Sequence, residues 1–233
     1  MPAALLLPAA LLLGGCGGTG GLVAAGPTPT AHGPAHLWPA RQGASVLPAE
    51  PGGAPPEYVP GLPRVTGQEV REVDPVRLVQ EELKAHGDRV TGPDGMPAAT
   101  ADAIRACEPG QAGRPAAGDG PACPVMEPYY RDLTGNGRDD LIVGIEFPGP
   151  EHEMSVRVYT ADPDGRLNRI MATTQPVISV ELAGRDLIVR MPSANPGYEL
   201  ATAWSWDESQ RTMLPAREQI TRVAQGRPGA VTP

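Results

Sequence analysis

The sequence predicts an α+β domain, with short N-terminal helices followed by an antiparallel β-meander of the kind that builds a propeller blade or a small sandwich or barrel. Three observations predict it. Val76, Val79 and Leu83 recur at helical spacing, whereas after Cys123 the apolar period becomes two. The segments between the period-two runs are short turn sequences, which join antiparallel neighbours, because parallel strands need crossovers of about a dozen residues or more. Of the 233 residues, 29 are Gly and 29 are Pro, and this excess is concentrated at the front of the chain. That leaves residues 66–223 as one domain of ordinary size.

The elements follow in chain order. Residues 1–16, MPAALLLPAALLLGGC, carry a short apolar run of signal-peptide length, below the roughly 18 residues a membrane-spanning helix needs. Residues 17–65 have no apolar period, and their prolines repeatedly remove backbone donors; they read as a disordered Pro/Gly-rich tether. A helical lead-in covers 66–106. Thr66-x-x-Glu69 has the form of a capping box, Asp74-Pro75 places Asp at the N-cap and Pro at the first helical position, and Gly87 offers a left-handed stop. A second short helix spans about 98–106 and turns Ile104 inward. Cys107 and Cys123 bracket a Gly/Pro-rich loop with no C-x-x-C and no His at zinc spacing, so a disulfide is expected in an oxidising compartment.

The meander is placed at 124–215. Leu141, Val143, Ile145 and Phe147 alternate with Ile142, Gly144 and Glu146, and Met154, Val156 and Val158 alternate with Ser155, Arg157 and Tyr159. Further strands are expected at 167–174, 177–182, 186–191 and 199–207. Turns at 162–165, 183–186 and 195–197 supply fixed φ or tolerance of positive φ. Trp204 and Trp206 share one strand face; as core they would be shielded, and as a stacking platform for a glycan or peptide they would be accessible. Residues 224–233 read as a flexible tail.

Leu13-Gly14-Gly15-Cys16 resembles the bacterial lipobox. That resemblance implies cleavage before Cys16, lipidation of its sulfur, and an extracytoplasmic protein anchored to the cell membrane at that residue; several acyl chains together anchor stably where one chain does not. The formal net charge is −8, and the basic residues are scattered singly among acids, which argues against nucleic acid as a partner. The chain is read as a monomer, and its partner as an envelope protein or glycan.

Asp132 to Gly144, DLTGNGRDDLIVG, is the one stretch with the pattern of a site. A hard cation such as calcium takes six to eight oxygens, which a tight loop supplies when alternate residues face one centre. Asp132, Thr134, Asn136 and Asp140 offer side-chain oxygens, Arg138 a carbonyl, and Gly137 the sharp turn. Val143 stands where an EF-hand needs a bidentate Glu, so an EF-hand is excluded. The stretch resembles the calcium loop of FG-GAP repeats, as in integrin propellers, where a similar Asp/Asn/Gly run flows into a Leu-Ile-Val-Gly strand. The resemblance implies calcium ligation by Asp132, Thr134, Asn136, Arg138 and Asp140. With two carboxylates the affinity falls in the roughly 0.1–1 mM class of extracellular modules. The propeller is not implied, because no second copy of the motif is found. A turn that holds no metal is the other reading of the same residues.

The lead-in to Tyr129-Tyr130-Arg131-Asp132, this motif and the stretch YELATAWSWDESQRTMLP together resemble a group of actinobacterial secreted or lipid-anchored proteins to which no activity attaches. Catalytic signatures are lacking: there is no G-x-S-x-G elbow, no H-E-x-x-H and no phosphate-cradling loop. Glu151-His152-Glu153 reads as a solvated hairpin, His86 as a helix-end residue, and His32 and His36 as part of the tether. Two function classes remain. One is a lipid-tethered recognition or scaffolding module with a weak calcium loop. The other is an envelope hydrolase-like enzyme whose residues converge only in space, with carboxylates of perturbed pKa in a cleft as its signature.

Overall fold

The computed structural model describes residues 33–41, 53–86, 92–115, 122–149 and 151–223. Residues 1–32, with the expected signal sequence, Cys16 and His32, lie outside the described residues, as do Gly87 and residues 224–233. Ten strands run in chain order: β1 (Ala35–His36), β2 (Glu57–Tyr58), β3 (Tyr129–Arg131), β4 (Asp140–Glu146), β5 (Glu153–Ala161), β6 (Leu167–Pro176), β7 (Ser179–Ala183), β8 (Asp186–Pro192), β9 (Tyr198–Asp207) and β10 (Thr212–Arg222). They form two antiparallel sheets of five, ordered β1-β7-β8-β9-β10 and β2-β6-β5-β4-β3.

The α+β expectation is therefore overturned, and the architecture is a β-sandwich. Only two short helices are described, α1 (Pro75–His86) and α2 (Ala98–Ala106), with a pair of 3-10 turns ahead of them. They cover one face of one sheet and form no layer of equal weight. The physical reason lies at Pro176. Up to that residue the chain is a four-strand meander, β3 to β6. Pro176 has no N–H to extend a ladder, and from Ser179 the chain pairs in the other sheet as a second meander, β7 to β10. The sequence reading treated these as one continuous meander.

Each sheet is completed by a short strand from the stretch read as a tether. β1 pairs with β7 and β2 with β6. Leu37, Trp38, Ala54 and Val59 are buried beside them. The rest of residues 17–65 outside 33–41 and 53–65 is not described.

Burial explains the strand patterns. Between the sheets, Ile142, Val156, Val158 and Met171 meet Leu187, Val189, Trp204 and Met213. On the other face of the β2–β6 sheet, Leu141, Val143, Ile145 and Tyr159 meet Val76, Val79 and Leu83 of α1 and Ile104 of α2. β4 is consequently buried on both faces, and only Glu146 of its seven residues is exposed. In β8 the outer face is freer, so Leu187, Val189 and Met191 are buried while Ile188 and Arg190 are not. At one point the packing admits no side chain: a Cβ on Gly144 would lie 2.9 Å from the Trp38 ring.

α1 begins as the sequence indicates, with the Asp74 carboxylate accepting from the Arg77 N–H at 2.8 Å. Thr66 makes no such cap; Glu69 instead accepts from the Arg71 N–H, and two 3-10 turns replace the expected helical turn. Cys107 and Cys123 stand at disulfide distance, with Cα atoms 5.7 Å apart. Among the described residues no helix is long and apolar enough to cross a membrane.

Candidate functional site

The Asp132–Asp140 loop connects β3 to β4. Two glycines shape it, since Gly135 and Gly137 take φ of 75° and 80°, values a side chain disfavours. Asp132 organises the turn: its Oδ1 accepts from the Gly135 N–H at 2.6 Å and its Oδ2 from the Gly137 N–H at 3.0 Å. Asn136 Oδ1 accepts from the Arg138 N–H at 2.7 Å. Both residues sit towards the solvent rim, as does Arg138.

Asp140 and Thr134 lie deeper. Asp140 is fully buried, and its Oδ2 accepts from the Leu133 and Thr134 N–H groups at 2.8 and 2.9 Å. Its Oδ1 has no hydrogen-bond partner, and neither has the buried Thr134 Oγ1. Burial raises the Asp140 pKa; the Thr160 and Thr134 hydroxyls and the two backbone N–H groups pull it back only in part. The hydroxyls are thus near enough to favour the charged form, yet neither meets hydrogen-bond geometry at Oδ1. An unsatisfied buried polar atom costs about 1–3 kcal/mol, and more when it is charged, so this loop keeps a deficit that a cation would relieve.

Of the five ligands expected, the structure brings Thr134 and Asp140 together as unpartnered buried oxygens. It ties Asp132 and Asn136 to backbone amides, each oxygen retaining a further lone pair. Around the loop, Arg71 pairs with Asp139 at 2.7 Å, and Arg185 of the β7–β8 turn donates from Nε to the Leu133 carbonyl at 3.2 Å. Arg131 Nε in turn donates to the Gly184 carbonyl at 3.2 Å, so the loop is clasped to a turn of the opposite sheet. Among the described residues no three His, Cys, Asp or Glu side chains gather into a metal-holding group, Glu151-His152-Glu153 included. The loop's oxygens come instead from two acids with a hydroxyl, an amide and a carbonyl.

Beside the loop a cleft of about 260 Å³ opens at one end of the sandwich, with Thr134, Asn136, Asn168 and Trp206 on its walls. Trp204 and Trp206 part company here. Trp204 is 4% exposed within the inter-sheet core, while Trp206 packs against that core, stays partly exposed and lines the cleft. Asp162, at the same end, accepts from Arg166 N and Nε at 2.9 and 3.0 Å; burial would raise its pKa, but these bonds outweigh burial and hold it low.

The sequence reading missed a buried charge cluster beneath α1. Glu82, 2% exposed, accepts from Arg157, from the Tyr159 hydroxyl at 2.7 Å and from Arg169 at 3.3 Å, and Arg169 also reaches Asp94 at 3.2 Å. Burial, with the Glu82 charge, pushes the Tyr159 hydroxyl pKa well up. Arg157 stays charged: burial works against it, but Glu82 outweighs that and raises its pKa. One signal was available, because Glu82 stands three residues after Val79, on the apolar stripe of the helix, where an acid needs a buried partner. No family model, curated protein or solved structure matches the chain, so its own residues carry the functional reading.

Proposed function

We propose that the chain is a lipid-tethered, extracytoplasmic recognition module whose β3–β4 loop takes a calcium ion through Asp132, Thr134, Asn136, the Arg138 carbonyl and Asp140. The observation that carries this is the pair of unpartnered buried oxygens, Asp140 Oδ1 and Thr134 Oγ1, in a loop whose backbone is already turned by Gly135 and Gly137. An all-oxygen set with two carboxylates suits a hard divalent cation at extracellular concentration. The Leu13-Gly14-Gly15-Cys16 sequence supports the anchor, and the Cys107–Cys123 pair suits an oxidising compartment. Binding would tighten the rim of the adjoining cleft, because Thr134 and Asn136 belong to both.

The competing reading, a turn without an ion, draws on the two amide bonds of Asp132, which suffice to hold the turn. It leaves Asp140 Oδ1 unexplained. Titration calorimetry with calcium separates the two. Wild type should show a saturable heat with Kd of roughly 0.1–1 mM, and Asp132→Ala, a change at the rim, should abolish it. Equal heats from both proteins would refute ligation by the loop.

A further inference from the structure

We propose that the cleft beside the loop is a binding site for a neutral, hydroxyl-rich ring, a single pyranose unit of a glycan, laid against the indole of Trp206. This deepens the recognition reading, on which it rests for context, by naming a ligand class; the cleft is open without calcium, and it shares Thr134 and Asn136 with the loop.

The cleft has the parts a sugar requires. Its volume of about 260 Å³ lies just below the roughly 300 Å³ at which drug-sized pockets begin, so it admits one ring and not a chain. One wall is aromatic. Trp206 packs in part against the inter-sheet core and is in part exposed at the cleft, and its Nε1 donates to Glu208 Oε2 at 2.7 Å, so a fixed indole is offered to the apolar C–H face of a pyranose. The other walls are largely polar. Asn136 and Asn168 bring side-chain amides to them. Such amides both donate and accept, which suits the hydroxyls of a sugar. The acids on the walls are already engaged, Asp162 by Arg166 and Glu208 by Trp206 Nε1, and Arg211 is the one base among the lining residues, so an anion gains little here.

Backbone geometry points to the same end of the molecule. Among the described residues three non-glycine positions hold left-handed φ, and two of them, Gln68 at 63° and Arg211 at 53°, line this cleft. Backbone held in a disfavoured region concentrates where a site needs it. A partial hint stood in the sequence: Trp204 and Trp206 share a strand face, and of the two only Trp206, towards the end of β9, keeps part of its surface exposed.

The test is calorimetric titration of the full chain with methyl α-glucopyranoside, methyl β-galactopyranoside and N-acetylglucosamine, with adenosine as a flat aromatic comparison, each run in calcium and in chelator. At least one pyranose should bind saturably in the millimolar range. Binding should weaken tenfold or more in Trp206→Ala and in Asn168→Ala, each checked for its folded circular dichroism. If Trp206→Ala does not fold, Asn168→Ala decides. No pyranose binding by wild type in either buffer, unchanged binding in the folded variants, or adenosine binding more tightly than every sugar would overturn the assignment. A sugar signal without a calcium heat would sink the cation site and leave the cleft standing, so the two failures are told apart.

Discussion

Glu82→Gln tests how much of this sandwich depends on its buried charges. Glu82, Arg157 and Arg169 are each no more than 2% exposed, and the Glu82 carboxylate serves three donors: two guanidinium groups and the Tyr159 hydroxyl. With Asp94 counted, two arginines face two carboxylates in the interior. Removing one negative charge leaves a buried guanidinium uncompensated, and breaking such a pair costs about 3–5 kcal/mol. The amide is nearly isosteric with the carboxylate, so the loss comes from charge and not from a cavity. Against a total stability of about 5–15 kcal/mol, this is roughly a fifth or more. Urea unfolding followed by far-ultraviolet circular dichroism at neutral pH should show the midpoint falling with the slope unchanged. Thermal unfolding should fall by roughly 6–20 °C, at about 2–4 °C per kcal/mol for a domain of this size. A loss below about 1 kcal/mol, the value of an exposed pair, would refute the claim that α1 is held to the sheet by desolvated charge.

Three further outcomes follow from particular contacts. Changing both Cys107 and Cys123 to Ser should lower stability by about 3 kcal/mol in the chain-entropy account of a loop of this size, read as a urea midpoint shift; equal midpoints would mean the crosslink constrains nothing. Gly144→Ala should cost about 1–3 kcal/mol, because its Cβ would press on the Trp38 ring at 2.9 Å, and Gly144→Ala with Trp38→Phe should recover part of that loss. Glu181 is buried, which raises its pKa, but Arg190 at 2.7 Å and Ser179 at 2.8 Å outweigh burial and hold it below its ordinary 4.5. Its stabilisation is therefore present above about pH 4.5 and disappears as pH falls through the lowered value. The stability gap between wild type and Glu181→Gln should close in acid; a gap constant from pH 7 to pH 2 would contradict the pairing.

Much of the second half of the chain was legible because antiparallel strands between tight turns leave a period of two. The boundaries of β6, β8 and β9 fall within about two residues of those expected, and α2 falls at the expected residues. What could not be read was which faces are covered. Period two tells that Arg157 and Tyr159 oppose Val156 and Val158, but not that α1 lies over them; a polar side of a strand reads as solvent-facing until its cover is known. Glu82 on an apolar helix stripe was the missed clue. β1 and β2 are two residues each, too short for any period, and the aromatics Trp38 and Tyr58 in a Pro/Gly-rich stretch were the hint that part of it is packed. The β3–β4 loop was legible as a turn with aligned oxygens. That Asp132 would spend its oxygens on backbone amides while Asp140 kept one unpartnered depends on burial, which spacing along the chain does not reveal. Likewise a shared strand face does not reveal that Trp204 is buried in the inter-sheet core while Trp206, packed against it, stays partly exposed.

Thermal unfolding in 10 mM calcium against chelator, at matched ionic strength with magnesium as control, tests the cation loop most directly. A ligand of roughly 0.1–1 mM affinity that binds only the folded state adds about 1.4–2.7 kcal/mol at that concentration, so the midpoint should rise by roughly 3–11 °C. The rise should vanish in Asp132→Ala. Coincident melting curves for wild type in calcium and in chelator would contradict a calcium site in this loop.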